Sequence, residues 1–129
     1  MIDREYDIMA KLEHEFWWHR GSEKIFQTML CQCVKGALVL NAGCGTGRLT
    51  DLFEKENKVI AIDINKKAIT YCRRKGHKNL IRADVNKLPL KQKFDLVVIT
   101  DVLYHKGVHI EKTLGEINRV LKKGGLLLL

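Results

Sequence analysis

At 129 residues with 46% hydrophobic side chains, the chain suits one domain with a modest core, of a hydrophobic content ordinary for a soluble protein. No stretch approaches the ~18–20 apolar residues of a membrane span, and Met1-Ile2-Asp3-Arg4-Glu5 lacks a signal-peptide pattern, so the expected setting is cytoplasmic. The formal net charge of +8 invites a nucleic-acid partner, but the basic side chains, among them Lys66, Lys67, Arg73, Arg74, Lys78 and Lys91, are spread over helix faces and loops, so nucleic acid is possible without being favoured.

In chain order, the first predicted unit is an N-terminal helical cap over residues 1–34, followed by a core over 35–129. The cap carries both tryptophans in Phe16-Trp17-Trp18-His19. Such rings either exclude water from a ligand and stack on it, or anchor the helix to the rest of the fold; both readings stand. The core opens on Val39-Leu40-Asn41-Ala42-Gly43-Cys44-Gly45-Thr46-Gly47-Arg48-Leu49, an apolar strand running into three alternate glycines and an amphipathic helix. Without Cβ atoms at the turn, a ligand can approach the main chain and the N–H groups at the start of the helix. A dinucleotide fingerprint would need Gly or Ala where Arg48 stands, and a P-loop would need Gly-Lys-Ser/Thr, which is absent.

Leu49, Leu52 and Phe53 continue at helical spacing into a second strand, Lys58-Val59-Ile60-Ala61-Ile62-Asp63. An acid at the tip of the second strand of a βαβ unit can accept both ribose hydroxyls of a nucleoside, or it can cap the helix that begins near Lys66, a role open to Asn65 as well. A third strand, Asn79 to Ala83, leads into Asp84-Val85, and a fourth, Lys93 to Asp101, is the nearly continuous apolar run of a central strand buried on both faces. Ile110 to Leu121 reads as a helix that packs Leu114, Ile117, Val120 and Leu121 on the sheet. Lys122-Lys123-Gly124-Gly125 reads as its basic, glycine-stopped end, with Leu126 to Leu129 starting a fifth strand. Strands alternating with helices require a doubly wound, mostly parallel α/β sheet with right-handed crossovers.

Glycine loop, strand-tip Asp63, Asp84 and the apolar fourth strand with its Val102-Leu103-Tyr104-His105 segment resemble, in order, the motifs of class I S-adenosylmethionine (SAM) dependent methyltransferases of the small-molecule, type 11-like branch, over residues 37–129. The resemblance implies a Rossmann-like sheet and a SAM site built from Asn41, Gly43, Cys44, Gly45, Gly47, Asp63, Ile64, Asp84, Val85 and Thr100, with Asp63 on the ribose and Asp84 or its neighbouring amide on the adenine. It implies in-line attack on the methyl group by a small-molecule or lipid- or glycan-linked acceptor, leaving S-adenosyl-L-homocysteine (SAH). His105 is the first candidate base, because an imidazole titrates near neutrality, with Tyr104, Asp101 and His19 as alternatives. The Trp-Trp segment resembles the leader of a subset of these enzymes, in which an N-terminal helix covers the cofactor.

Two departures carry expectations of their own. Asn41 stands where the family usually has Asp or Glu, which keeps the hydrogen bonding, loses the charge opposite the ligand ammonium and implies weaker cofactor binding. The sequence reaches only the fifth strand, so the expected sheet lacks the family's C-terminal strand pair and leaves Leu126 to Leu129 at an apolar edge, open to a homo-oligomer or a partner chain. A non-catalytic SAM-binding module or partner-dependent subunit is the alternative function, and an RNA methyltransferase a less favoured one. Cys31, Cys33, Cys44 and Cys72 lack paired CxxC spacing, so no metal site or disulfide framework is expected, and Cys44 reads as a small loop residue. His14, His77 and His109 read as surface histidines.

Overall fold

The computed structural model describes residues 2–13, 17–29 and 34–129. Helices α1 (Asp3–Leu12) and α2 (Trp17–Met29) precede the alternating part: β1 (Leu38–Ala42), α3 (Arg48–Phe53), β2 (Lys58–Asp63), α4 (Lys66–Arg74), β3 (Leu80–Arg82), β4 (Phe94–Val98), α5 (Ile110–Val120) and β5 (Leu121–Leu128). The strands pair in parallel in the order β3-β2-β1-β4-β5. Phe16 and His14 lie outside the described residues, as do Cys31, Cys33 and the side chains of Trp17, Trp18 and His19, and with them the choice between stacking and anchoring.

Alternation along the strands sorts side chains to two faces. Leu40, Ile60, Ile62 and Val97 meet Ile117 and Val120 of α5 on one face, while Val39, Val59, Leu96 and Val98 meet Leu49, Leu52 and Phe53 of α3 on the other. Beside the second cluster, Ala61 packs with Ile69 and Cys72 of α4 and with Cys44 of the glycine loop. Asn65 is the N-cap of α4, its Oδ1 accepting the Lys67 N–H at 2.7 Å. That leaves Asp63 free of the capping role.

The junction of α5 and β5 differs from the sequence reading. The helix stops at Val120, Leu121 is already extended and paired with Phe94, and the ladder resumes only at Leu96 with Leu126. Lys122 to Gly125 therefore form a bulge in the strand, not a helix end, with Gly124 at φ 78° and with no room at Gly125, where a Cβ would lie 2.8 Å from the Lys122 carbonyl. The cause is an anchor: Lys122 Nζ reaches Asp95 Oδ1 at 2.9 Å, and Asp95 Oδ2 accepts the Leu38 N–H at 2.8 Å, tying β5, β4 and β1 together. Leu114, expected in the core, is exposed; Thr113, Ile117 and Val120 form the buried face of α5.

His77 is a second correction. It is only 6% exposed, its Nε2 lies 2.6 Å from Asp51 Oδ1, and its Nδ1 contacts Glu54. Neither partner is near it in sequence; α3 brings both carboxylates onto the segment after α4.

Candidate active site

In an open parallel sheet, the carboxyl ends of the strands diverge where the strand order reverses, and a crevice opens there. Here the reversal falls between β1 and β4, and the cleft outside these strand ends has a volume of about 480 Å³, within the range of small-ligand sites. Asn41, Gly43, Cys44 and Gly45 from the β1 turn line it, with Asp63 and Ile64 after β2, Asp84 and Val85 after β3, and Thr100, Tyr104 and His105 after β4. Gly47 is the exception among the expected site residues. It faces away from the cleft, where a Cβ would come within 2.9 Å of Cys72 Sγ, and it serves as the left-handed N-cap of α3 at φ 88°.

The glycine turn is held open by its own backbone. Gly43 and Cys44 donate N–H bonds to the Ile62 carbonyl at 2.9 and 2.8 Å, which locks the loop to β2. Gly43 has φ 80°, and a Cβ there would collide with Val102 at 2.3 Å, so only glycine lets the β4 loop approach. Gly45 donates its N–H to Asp63 Oδ2 at 3.0 Å, while Asp63 Oδ1 accepts the Asn65 N–H at 2.9 Å. The carboxylate is 7% exposed and fixed by two backbone donors, one on each oxygen. Asp84 Oδ1 accepts both the backbone and side-chain nitrogens of Asn86 at 2.8 Å, which organises the turn after β3.

Asn41 is 2% exposed and donates from Nδ2 to Thr50 Oγ1 at 3.0 Å. That contact fixes the amide so that Oδ1 is its remaining polar end. Beyond β4, Asp101 takes φ 57°, the one non-glycine left-handed residue among the described residues. Tyr104 and His105 form a tilted ring pair with centroids 4.7 Å apart. Tyr104 is 75% exposed, and partial burial followed by the Asp101 charge raises its pKa.

The sequence reading expected an N-terminal helical cap but named none of the α1-region side chains that reach the cleft. Tyr6, Met9 and Glu13, spaced on one helical face, line the cleft from the side opposite the strands. Burial first, then the Asp63 charge, pushes the Tyr6 hydroxyl pKa up. Glu13 is buried, accepting from Thr46 Oγ1 and from Lys75 Nζ, each at 2.7 Å. Burial opposes the charge on Lys75, but the hydrogen bonds to Glu13 and Asp51 outweigh it and raise the lysine pKa. A Tyr-x-x-Met-x-x-x-Glu face was visible in the sequence; its target was not.

Residues 40–129 match the methyltransferase domain family. The chain belongs to the class I SAM-dependent methyltransferases. Among curated relatives it is 29% identical over 142 residues to the ubiquinone/menaquinone biosynthesis C-methyltransferase UbiE of Wigglesworthia glossinidia brevipalpis, covering 99% of this chain and 55% of that one. It is 28% identical over 130 residues to an uncharacterised protein of Methanocaldococcus jannaschii, covering 98% of this chain and 50% of the relative. This methyltransferase chain thus spans about half the length of the curated relatives it matches. Among solved structures, the N-methyltransferase NodS of Bradyrhizobium japonicum in complex with SAH superposes with a TM-score of 0.77 at 20% identity, covering 88% of this chain and 62% of that one. That likeness shows the shared fold. The cofactor of the family is SAM, and the donor set here fits it: a carboxylate at the β2 tip, a buried amide oxygen at the β1 tip and a turn without Cβ atoms between them.

Proposed function

We propose that the protein transfers a methyl group from SAM to a small-molecule acceptor, either free or carried on a lipid or glycan. The observation that carries this reading is the convergence of Asp63, Asp84, Asn41 and the Gly43–Gly45 turn on one cleft at the sheet's reversal point, with Tyr104 and His105 at the mouth. In this reading Asp63 holds the ribose hydroxyls. Asp84, Val85 and Ile64 hold the adenine side, while Asn41 Oδ1, Thr100 and the glycine turn hold the methionine end. Cys44 completes the wall. Bound there, SAM supplies an electrophilic methyl group on a sulfonium, whose thioether needs no proton on leaving.

The remaining work falls to the chain itself. Alignment of the acceptor within reach of the methyl group accounts for most of the acceleration such a site can give. His105 takes the proton from a hydroxyl or ammonium acceptor, Tyr104 flanks the acceptor with its exposed ring, and α1 acts as the cap that excludes water. Two relatives support a small acceptor by their names, UbiE, a C-methyltransferase of quinone biosynthesis, and a malonyl-[acyl-carrier protein] O-methyltransferase of Hamiltonella defensa, 31% identical over 98 residues, whereas a tRNA (carboxymethyluridine(34)-5-O)-methyltransferase of Arabidopsis thaliana, 34% identical over 97 residues, names an RNA one.

Calorimetric titration with SAM and SAH tests the cofactor site. Saturable binding by the chain, abolished in Asp63→Ala, is expected. Because Asp63 also accepts two backbone N–H bonds, a thermal melt of the variant is run beside it. A folded Asp63→Ala chain that binds SAH as tightly as the parent removes the ribose role.

A further inference from the structure

Cys44 and Cys72 place their sulfurs 3.6 Å apart beneath the glycine turn, and both are free thiols. Cys72 is fully buried and Cys44 is 6% exposed, but Cys44 is part of the cleft wall while Cys72 lies behind it on α4. The Cys72 thiol also points at the Gly45 carbonyl, 3.5 Å away, and it fills the space beside Gly47. The pair is thus wedged beside two glycines of the turn, and Cys44 meets the cleft on its other side.

We propose that Cys44 and Cys72 are an oxidisable dithiol that reads cofactor occupancy: a small peroxide entering the cofactor-free cleft converts them to a disulfide, and a cofactor seated on the turn blocks that conversion. The occupancy half rests on the cofactor reading above. Chemically, the Cys44 thiolate attacks a peroxide oxygen, the O–O bond breaks, and the sulfur becomes a sulfenic acid as water forms. Cys72 then attacks that sulfur, the S–O bond breaks and a second water leaves. Two thiols and one hydrogen peroxide give one disulfide and two waters, with two electrons passing from sulfur to the peroxide.

Cys44 is the attacking group because it alone faces the route of entry. The hydrogen bond with Cys72 first, and burial second, favour its protonated form, which makes the first step slow and faster as pH rises. A disulfide has its sulfurs about 2.05 Å apart, so the pair must close by roughly 1.5 Å. The turn has little slack to give, since the Gly43, Cys44 and Gly45 N–H groups are committed to Ile62 and Asp63. Closure therefore pulls on the donors that hold Asp63, and the oxidised protein binds SAH more weakly than the reduced one.

The test is timed exposure of the 129-residue chain to hydrogen peroxide, with residual thiols alkylated and the peptides mapped by mass spectrometry, with and without SAH. A Cys44–Cys72 peptide lighter by two hydrogens is expected without SAH. With SAH a hundredfold above its Kd the rate should fall about a hundredfold, because only the cofactor-free fraction reacts. Cys72→Ala should abolish the linked peptide and keep SAH binding. Linkage through Cys31 or Cys33 with Cys44 and Cys72 still alkylatable overturns the dithiol. A rate unchanged by SAH that calorimetry shows to be bound overturns occupancy sensing. Linkage in a chain that binds no SAH keeps the dithiol and refutes the cofactor reading, together with the sensing built on it.

Discussion

At the scale of single residues, Asn41 and His105 carry the sharpest expectations. The Asn41 amide is buried and its orientation fixed by Thr50, so Asn41→Asp would place a carboxylate in the same position with the Thr50 hydroxyl as donor. A hydrogen bond to a charged acceptor exceeds a neutral one by about 1 kcal/mol, so SAH should bind about fivefold tighter. The cofactor-free variant should melt lower, since a buried carboxylate with one donor is poorly compensated; calorimetry and melting curves with and without SAH read both effects. For His105, replacement by Ala should lower kcat by about 10²- to 10⁴-fold, the usual worth of a general base, while SAH affinity changes less than twofold. A His105→Ala chain with normal turnover and weakened SAH binding would move the residue from proton transfer to cofactor contact. Asp63 was legible in the sequence because a strand tip and a glycine loop share one register. Glu13 and Tyr6 were not, because their place at the cleft depends on how α1 packs against α4.

Among elements, β1, β2 and β4 announced themselves through apolar runs that lead into Asn41, Asp63 and Thr100-Asp101, since a parallel strand buried on both faces tolerates polar side chains chiefly at its ends. Boundaries set by long-range partners stayed hidden. Lys-Lys-Gly-Gly satisfies the rules for a helix end equally well, and only Asp95, fixed by β1, draws Lys122 into the bulge. His77 was misread for the same reason, its two carboxylates lying on α3 and at its C-terminal cap. The Asp95 anchor has a measurable pH signature. The Leu38 N–H first, and Lys122 second, hold its carboxyl below the usual range. Its contribution is therefore fully present above the unfolded-state value of about 4 and fades as pH falls through the lower folded-state value. Asp95→Asn should cost about 0.5–1 kcal/mol at pH 7, kept small by solvent screening, and the difference from the parent should vanish at low pH. Urea unfolding at neutral pH and near pH 2 distinguishes this from a pH-independent loss, which would assign the anchor to packing alone.

For the whole molecule, the decisive feature is the asymmetry of the sheet's two edges. The β3 edge is only three residues long and closely covered by α4, as a blunted edge should be. The β5 edge is eight residues long, with Leu126 and Leu127 at 47% and 40% exposure and Leu129 at 65%. An exposed apolar strand with a free hydrogen-bonding side invites a second strand, and the bulge at Lys122–Gly125 protects only its first half. A chain of these 129 residues should therefore associate as its concentration rises, which sedimentation velocity would register as a shift to larger species. Leu127→Lys places a charge on that edge and should return the chain to monomer. Because no residue of β5 lines the cleft, the same substitution should leave SAH affinity unchanged. Loss of SAH binding along with association would mean that the cleft of these 129 residues is completed across the β5 contact, the edge of one copy supporting the site of its neighbour.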